Sequence, residues 1–310
     1  MSLNRGSKPL GSESVDSVLP VLGDELPDAV FEAILEQLRA RRQFDLGAYK
    51  DRCIRRRIAK RLRSSGAADV AAYLKRLAED DGELDALLAT LSIHVSQFFR
   101  NPDTFLVLER QILPDLCRRA QAAGRSELRL WSVGCAGGEE PYSLALLVDE
   151  LQPVGVKIAI LATDVSEPVL ASAREGLFEP LRLAEVPPAV RARYFTPEGE
   201  RYRLIERVRA MVRFERHNVM TAAEFPPADL ILCRNVLIYF TREEQARILA
   251  RFAAALPEGG ALVLGRAETL TGPERQLFQT EFPVERIYRR TSVAAPVVGA
   301  GGGESSPRED

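Results

Sequence analysis

The stretch 130-LWSVGCAGGEEPYSLALL-147 joins one apolar run to another through a glycine-rich turn, Gly134, Gly137 and Gly138, followed by two acids and a proline. A strand that ends on glycines can turn tightly and admit a ligand close to its backbone, and Pro141 suits the first turn of a following helix. This arrangement reads as a nucleotide-type site. Its acids are out of place for a phosphate, because a carboxylate pair repels the pyrophosphate that helix N-terminal amides attract. S-Adenosylmethionine carries no phosphate and bears an ammonium and a sulfonium, so it is the common adenosine cofactor that Glu139 and Glu140 favour. Both acids also have an ordinary use, complementing the helix dipole in its first turn.

Outward from this turn, apolar strand-like runs alternate with helical stretches: 128-LRLWSV-133, 143-SLALLVDEL-151, 156-VKIAILATD-164, 166-SEPVLASARE-175, 229-DLILCRN-235, 242-REEQARILARFAAAL-256 and 261-ALVLG-265. Such alternation predicts an α/β fold, a doubly wound, mostly parallel sheet wrapped by helices. Asp164 closes the second strand, where such folds place a carboxylate on ribose hydroxyls; capping the helix that starts near Glu167 is its alternative role. Arg234, Asn235 and Tyr239 cluster after the strand at 229–235, outside the carboxyl end of the sheet. Packing as an ordinary aromatic is the alternative for Tyr239. Earlier, 92-SIHVSQFFRNP-102 sets Ser96 and Arg100 on either side of Phe98 and Phe99. The phenylalanines are expected to pack, and Arg100 to anchor an anion.

Residues 25–98 read as an N-terminal all-helical domain, with Val30, Ile34 and Leu38 one turn apart, then Ile54, Ile58 and Leu62. Residues 99–291 form the α/β domain. One interval, about 176–215, breaks the alternation with a Pro-rich bend and short alternating segments in 201-RYRLIERVRAMVRFE-215, and is expected to be an inserted antiparallel β-subdomain ahead of a strand that ends near His217. Residues 1–24 and 292–310 are rich in Gly, Ser, Pro and charge and are expected to be flexible tails.

Composition narrows the function classes. The chain of 310 residues is 46% hydrophobic and 28% charged, with a net charge of −2, so nothing global points to nucleic acid or a membrane surface. No run approaches the ~18 apolar residues of a membrane span. The four cysteines and two histidines are scattered, so neither a metal site nor a disulfide framework is expected, and a reducing cytoplasm is the expected location.

GCAGGEEPYS, CRNVLIYF, SQFFRNP and 256-LPEGGALVLGRAE-268, in this order and spacing, resemble the chemoreceptor glutamate methyltransferases, the CheR family. The resemblance runs from about Leu26 to Arg290 and includes 49-YKDRCIRRRIAKRL-62 in the helical domain. It implies a class I S-adenosylmethionine-dependent methyltransferase that makes methyl esters of glutamates on chemoreceptors and releases S-adenosylhomocysteine. By similarity, Arg100 and Tyr239 handle the carboxylate. His94, where the family usually has asparagine, and Ser96, where it usually has threonine, lie near the cofactor, as does Arg100. The Glu139–Glu140 pair faces its methionine end, Asp164 its ribose, and Gly134, Asn218, Val219, Arg234 and Asn235 bind it further. A glutamate with a pKa of ~4.3 is already ionised at neutral pH, which suits a site without a histidine–acid pair.

The basic helix 50-KDRCIRRRIAKRLR-63 keeps Ile54, Ile58 and Leu62 on one face and fills the rest with cations. A solvated charged face is its ordinary reading. Similarity to the family assigns Arg55, Arg56, Arg57, Lys60, Arg61 and Arg63 to docking on the acidic methylation helices of the chemoreceptor cytoplasmic domain, by a monomer that needs no tail-peptide tether. Two rival readings fit the same residues: a cofactor-binding regulatory module that docks on a receptor-like coiled coil without methyl transfer, and a nicotinamide-dependent oxidoreductase, against which the acidic loop argues.

Overall fold

A computed structural model describes residues 26–42, 51–91, 96–270 and 272–292. The chain divides into two compact units, Met1–Ser92 and Ile93–Asp310. The tails expected at 1–24 and 292–310 lie, but for Ser292, outside the described residues, as does His94.

The first unit is built of α1 (Asp28–Arg42), α2 (Asp51–Ser64), α3 (Val70–Glu79) and α4 (Asp81–Leu91). Its core takes Ile34 and Leu38 from α1, Ile54, Ile58 and Leu62 from α2, Tyr73 and Leu77 from α3, and Leu84 and Leu87 from α4. These are the apolar positions spaced three and four apart that one helix face can bury. Asp69 starts α3 by accepting the Ala72 N–H at 2.7 Å.

The second unit opens with α5 (Pro102–Val107), which runs through a π-turn at Leu108–Ile112 into α6 (Leu113–Ala122). Then come β1 (Glu127–Val133), α7 (Glu139–Leu151), β2 (Lys157–Asp164) and α8 (Glu167–Glu175). After them lie β3 (Leu177–Phe178), α9 (Pro188–Tyr194), β4 (Phe195–Glu198), β5 (Arg201–Leu204), α10 (Glu206–Arg209) and β6 (Val212–Arg216). The unit closes with β7 (Leu230–Cys233), α11 (Arg242–Ala255), β8 (Ala261–Leu264), β9 (Phe278–Phe282) and β10 (Ile287–Arg290).

Seven strands form one sheet in the order β6-β2-β1-β7-β8-β10-β9. β1 pairs in parallel with both β2 and β7, and within this sheet β10 alone runs opposite to the other six strands. β1 is therefore where the winding reverses, and the crevice at its carboxyl end is where such sheets hold ligands. Leu130 and Ile160 meet in register inside the sheet and pack among the buried residues of the unit's core.

The interval at 176–215 is partly reassigned. β3, β5 and β4 form a separate antiparallel sheet that is complete at Leu204, whereas β6 joins the edge of the main sheet, parallel to β2, with Val212 opposite Ile160. Buried Val212 and Phe214 alternate with exposed Arg213 and Glu215, and alternation specifies a half-buried strand without naming its partner. The β9–β10 hairpin had no counterpart in the sequence reading.

Candidate functional site

The turn after β1 is shaped by two glycines in the left-handed region, Gly134 at φ 65° and Gly138 at φ 91°. A Cβ on Gly134 would lie 2.5 Å from Val236 Cγ2, so this turn packs directly on the loop that follows β7. Glu139 and Glu140 fall in the first turn of α7, where Pro141 also sits, and have different surroundings. Glu140 accepts from Ser132 Oγ at 2.8 Å and from Arg234 Nη1 at 3.3 Å. Burial pushes its carboxyl above the usual range, while Arg234 and Ser132 pull it back. The Glu139 carboxylate folds over Gly137, where a Cβ would lie 3.0 Å from Oε2, and lies 3.5 Å from Arg182 Nε.

Arg234 ties the site together. Its side chain, 2% exposed, donates from Nη2 to the Arg100 carbonyl at 2.6 Å and to Asn101 Oδ1 at 2.8 Å, besides meeting Glu140. The guanidinium also sits 5.4 Å above the Phe105 ring. The backbone that carries Arg100 is thus fastened to the acidic turn. A second fastening runs through Ser143, which accepts the Phe99 N–H at 2.9 Å and donates to the Glu139 carbonyl at 2.6 Å. Phe99 and Asn101 both take positive φ, 51° and 61°, and their ordered geometry marks a loop held against its local preference. Ser96 enters through its carbonyl, which accepts from Arg182. Phe98 and Phe99 pack in the core as expected.

Asp164, 7% exposed at the end of β2, accepts the Ala136 N–H at 3.1 Å on Oδ2 and the Ser166 N–H at 3.1 Å on Oδ1. It is not the cap of α8, whose N-cap residue is Ser166. Its carbonyl accepts the His217 N–H at 3.0 Å, bringing the chain that follows β6 beside it. There Asn218 Oδ1 accepts the Met220 N–H at 2.9 Å, and Val219 is buried with its carbonyl on Arg251. Asn235, at φ 61°, and Tyr239, in a short turn at Leu237–Tyr239, follow β7. Gly134, Glu139, Glu140, Asp164, Asn218, Arg234, Asn235 and Tyr239 thus lie at or after the carboxyl ends of β1, β2, β6 and β7, and Arg100 is fastened to the same edge.

Four contributors are not singled out by the sequence: Ser132, Asn101, Arg182 and Glu268, whose carboxylate accepts the Asn235 and Val236 N–H groups, each at 2.9 Å. Glu268 was visible only as the last letter of the motif at 256–268. Burial drives the thiols of Cys135 and Cys233 well above their ordinary value, so neither is poised as a nucleophile. Among the described residues, no group of three or more His, Cys, Asp and Glu is arranged to hold a metal ion, and no helix is long and apolar enough to cross a membrane.

In the helical unit the expected docking set divides. Arg55 donates to the Leu26 carbonyl, pairs with Asp28 at 2.9 Å and lies 4.0 Å over the Phe31 ring. Arg57 reaches the Leu91 carbonyl, and Arg61 grips buried Glu83 with two bonds of 2.8 and 2.6 Å. These three arginines hold the unit together. Arg56, Lys60 and Arg63 are exposed and, spaced four and three apart, share one stripe of α2.

A doubly wound sheet with a glycine turn, a strand-end carboxylate and acids in place of a phosphate-binding lysine defines a class I S-adenosylmethionine-dependent methyltransferase fold. The profile of the "CheR methyltransferase, SAM binding domain" matches residues 94–285, and that of the "CheR methyltransferase, all-alpha domain" matches 29–92. The chain belongs to the CheR methyltransferase family, and S-adenosylmethionine is its cofactor. It is similar to a "Chemotaxis protein methyltransferase" of Listeria monocytogenes, 36% identical over 230 residues that cover 74% of this chain and 86% of that one. A protein of the same description from Borreliella burgdorferi is 32% identical over 237 residues, covering 74% and 83%. An "Uncharacterized 104.1 kDa protein in hypE 3'region" of Rhodobacter capsulatus is 37% identical over 247 residues, 79% of this chain but 26% of that protein, so the chain spans about a quarter of this relative's length.

Proposed function

We propose that this protein transfers a methyl group from S-adenosylmethionine to glutamate side-chain carboxylates of chemoreceptor cytoplasmic domains, giving methyl esters, and that it acts in the cytoplasm. The observation that carries the reading is Arg234, whose one guanidinium joins the Arg100 backbone, Asn101 and Glu140 of the acidic turn. Such a joint keeps an anion-binding arginine at a fixed place beside a site built for a cation.

The residues present fit the cofactor. The bare turn at Gly134, Gly137 and Gly138 admits a ligand against the backbone, Asp164 offers a carboxylate to ribose hydroxyls, and Glu139 offers one to the ammonium. When bound, S-adenosylmethionine supplies an electrophilic methyl group on a sulfonium. A substrate glutamate is ionised at neutral pH, so no residue of the chain is needed as a general base. Arg100 holds the incoming carboxylate by a charge-assisted bond, and the Tyr239 hydroxyl orients it for in-line attack. Packed Phe98 and Phe99 keep water from that end of the site, which strengthens both contacts. The Arg56–Lys60–Arg63 stripe attracts the acidic receptor helix and guides its approach.

The test is incubation with methyl-labelled S-adenosylmethionine and receptor cytoplasmic domains. The reading expects base-labile label on the receptor. Absence of label on any cognate receptor, with cofactor affinity intact, would overturn it in favour of a docking module that does not transfer.

A further inference from the structure

Glu268 lies in the turn after β8 and is 4% exposed. Its carboxylate accepts four backbone N–H groups: Oε2 from Gly265 at 2.6 Å and Asn235 at 2.9 Å, and Oε1 from Val236 at 2.9 Å and Ile238 at 3.3 Å. Three of these donors belong to the loop after β7, thirty or more positions away in the chain. An acid bonded to side chains fixes those side chains, whereas an acid bonded to successive amides fixes a backbone conformation. The conformation in question is an uncommon one, with Asn235 at φ 61°.

The same loop is wedged between two glycines. A Cβ on Gly265 would lie 2.7 Å from Glu268 Oε2, 2.8 Å from the Asn235 nitrogen and 2.9 Å from Asn235 Nδ2. On the other side, a Cβ on Gly134 would strike Val236. Clearance on both flanks lets the turn after β1, the loop after β7 and the turn after β8 pack together. Burial raises the Glu268 carboxyl and the amides pull it back, which is the pattern of a carboxylate held as an acceptor.

We propose that Glu268 is a positioning residue for methyl transfer, acting through the loop that carries Asn235 at one end and Tyr239 at the other. The inference rests on the methyl-transfer reading above for Tyr239 and on the cofactor assignment for Asn235. Glu268 itself meets neither the methyl group nor the carboxylate. Its anion does inside the protein what a bound phosphate does in other glycine-flanked loops: it gathers amides that would otherwise lack a common partner.

Glu268→Gln keeps the shape of the side chain but turns an NH2 toward amides that can only donate. Gly265→Ala keeps the carboxylate and wedges the same contact, so it carries the test if the glutamine variant does not fold. Each is measured for S-adenosylhomocysteine affinity by calorimetry and for kcat and KM with receptor domains, alone and combined with Tyr239→Phe. The expected result for either is a kcat lowered about thirtyfold and an S-adenosylhomocysteine Kd raised about fivefold, with Tyr239→Phe costing less than about twofold more in that background. Wild-type kcat and Kd in folded variants, or a Tyr239→Phe effect equally large in both backgrounds, would overturn the proposal. If the wild-type chain methylates no receptor, the methyl-transfer reading fails, while the S-adenosylhomocysteine affinities still decide whether Glu268 holds Asn235 in place.

Discussion

Two buried glutamates, one in each unit, are satisfied in opposite ways. Glu83 in the helical unit is 2% exposed and meets the forked guanidinium of Arg61, with Arg76 a further 3.6 Å contact. Glu268 in the α/β unit is 4% exposed and accepts backbone amides. The first joins two helices through side chains and so bears on stability. The second holds a loop in a conformation it would not otherwise keep, and so bears on the groups that loop presents. A buried acid is therefore not one kind of object, and its partners say which property its loss will change.

The largest effect that would break this contrast concerns the loop side. Arg100→Ala should lower methyl incorporation by about a hundredfold or more while changing S-adenosylhomocysteine affinity far less, because on the proposed reading Arg100 holds the substrate carboxylate. Single-turnover label transfer measures it, and an unaffected rate would detach Arg100 from the chemistry. On the helical side, Arg61→Ala leaves Glu83 buried without its fork and should cost about 3 kcal/mol of stability, at the low end for a broken buried pair because Arg76 remains nearby. Urea unfolding reads this directly. If Glu268→Gln destabilised the protein as much as Arg61→Ala and left kinetics intact, the distinction between the two acids would collapse.

A smaller effect separates the two kinds of arginine on α2. Reversing the exposed stripe with Arg56→Glu, Lys60→Glu and Arg63→Glu should raise KM for the receptor about tenfold at low salt, and less at high salt, with stability little changed. Equal KM values at all ionic strengths would remove the stripe from docking. The smallest effect is a pH dependence at His217, which lies against Trp131 and Phe225. Burial lowers its pKa first of all, with Arg251 adding to the lowering and the Glu224 carbonyl and Glu215 opposing it. The unfolded chain then binds a proton near pH 6.5 that the folded one still refuses, so stability is full above about pH 6.5 and falls as pH drops toward the depressed native value. Urea midpoints at about pH 7.5 and about pH 5.5 should differ by less in His217→Gln than in wild type, by the equivalent of up to about 1 kcal/mol.

Much of the candidate site's placement at one edge of the sheet is legible in the chain because strands that end on unusual letters advertise themselves. GCAGGEE, the Asp164 strand end and CRN each break an apolar run where a parallel sheet places its ligands. The partners of those residues were less visible. Nothing in the spelling of α2 says that Arg55, Arg57 and Arg61 turn toward Leu26, Leu91 and Glu83, since a helix whose apolar stripe is covered looks equally charged on every other side. Glu268 was hidden for another reason: its partners are amides, which every residue has. The bound of about 176–215 for the inserted subdomain runs over most of β6, because alternation carries no partner, and the β9–β10 hairpin is not legible because 278-FQTEF-282 and 287-IYRR-290 are short and mostly polar.

The central claim is that this chain makes methyl esters on receptor glutamates. Mass-spectrometric mapping of a receptor cytoplasmic domain after incubation with the protein and S-adenosylmethionine tests it most directly. The account predicts one added methyl group on glutamate side chains, lost on mild base treatment and absent with the Arg100→Ala protein. Methylation on lysine or another base-stable position, or an unmodified receptor, would contradict it.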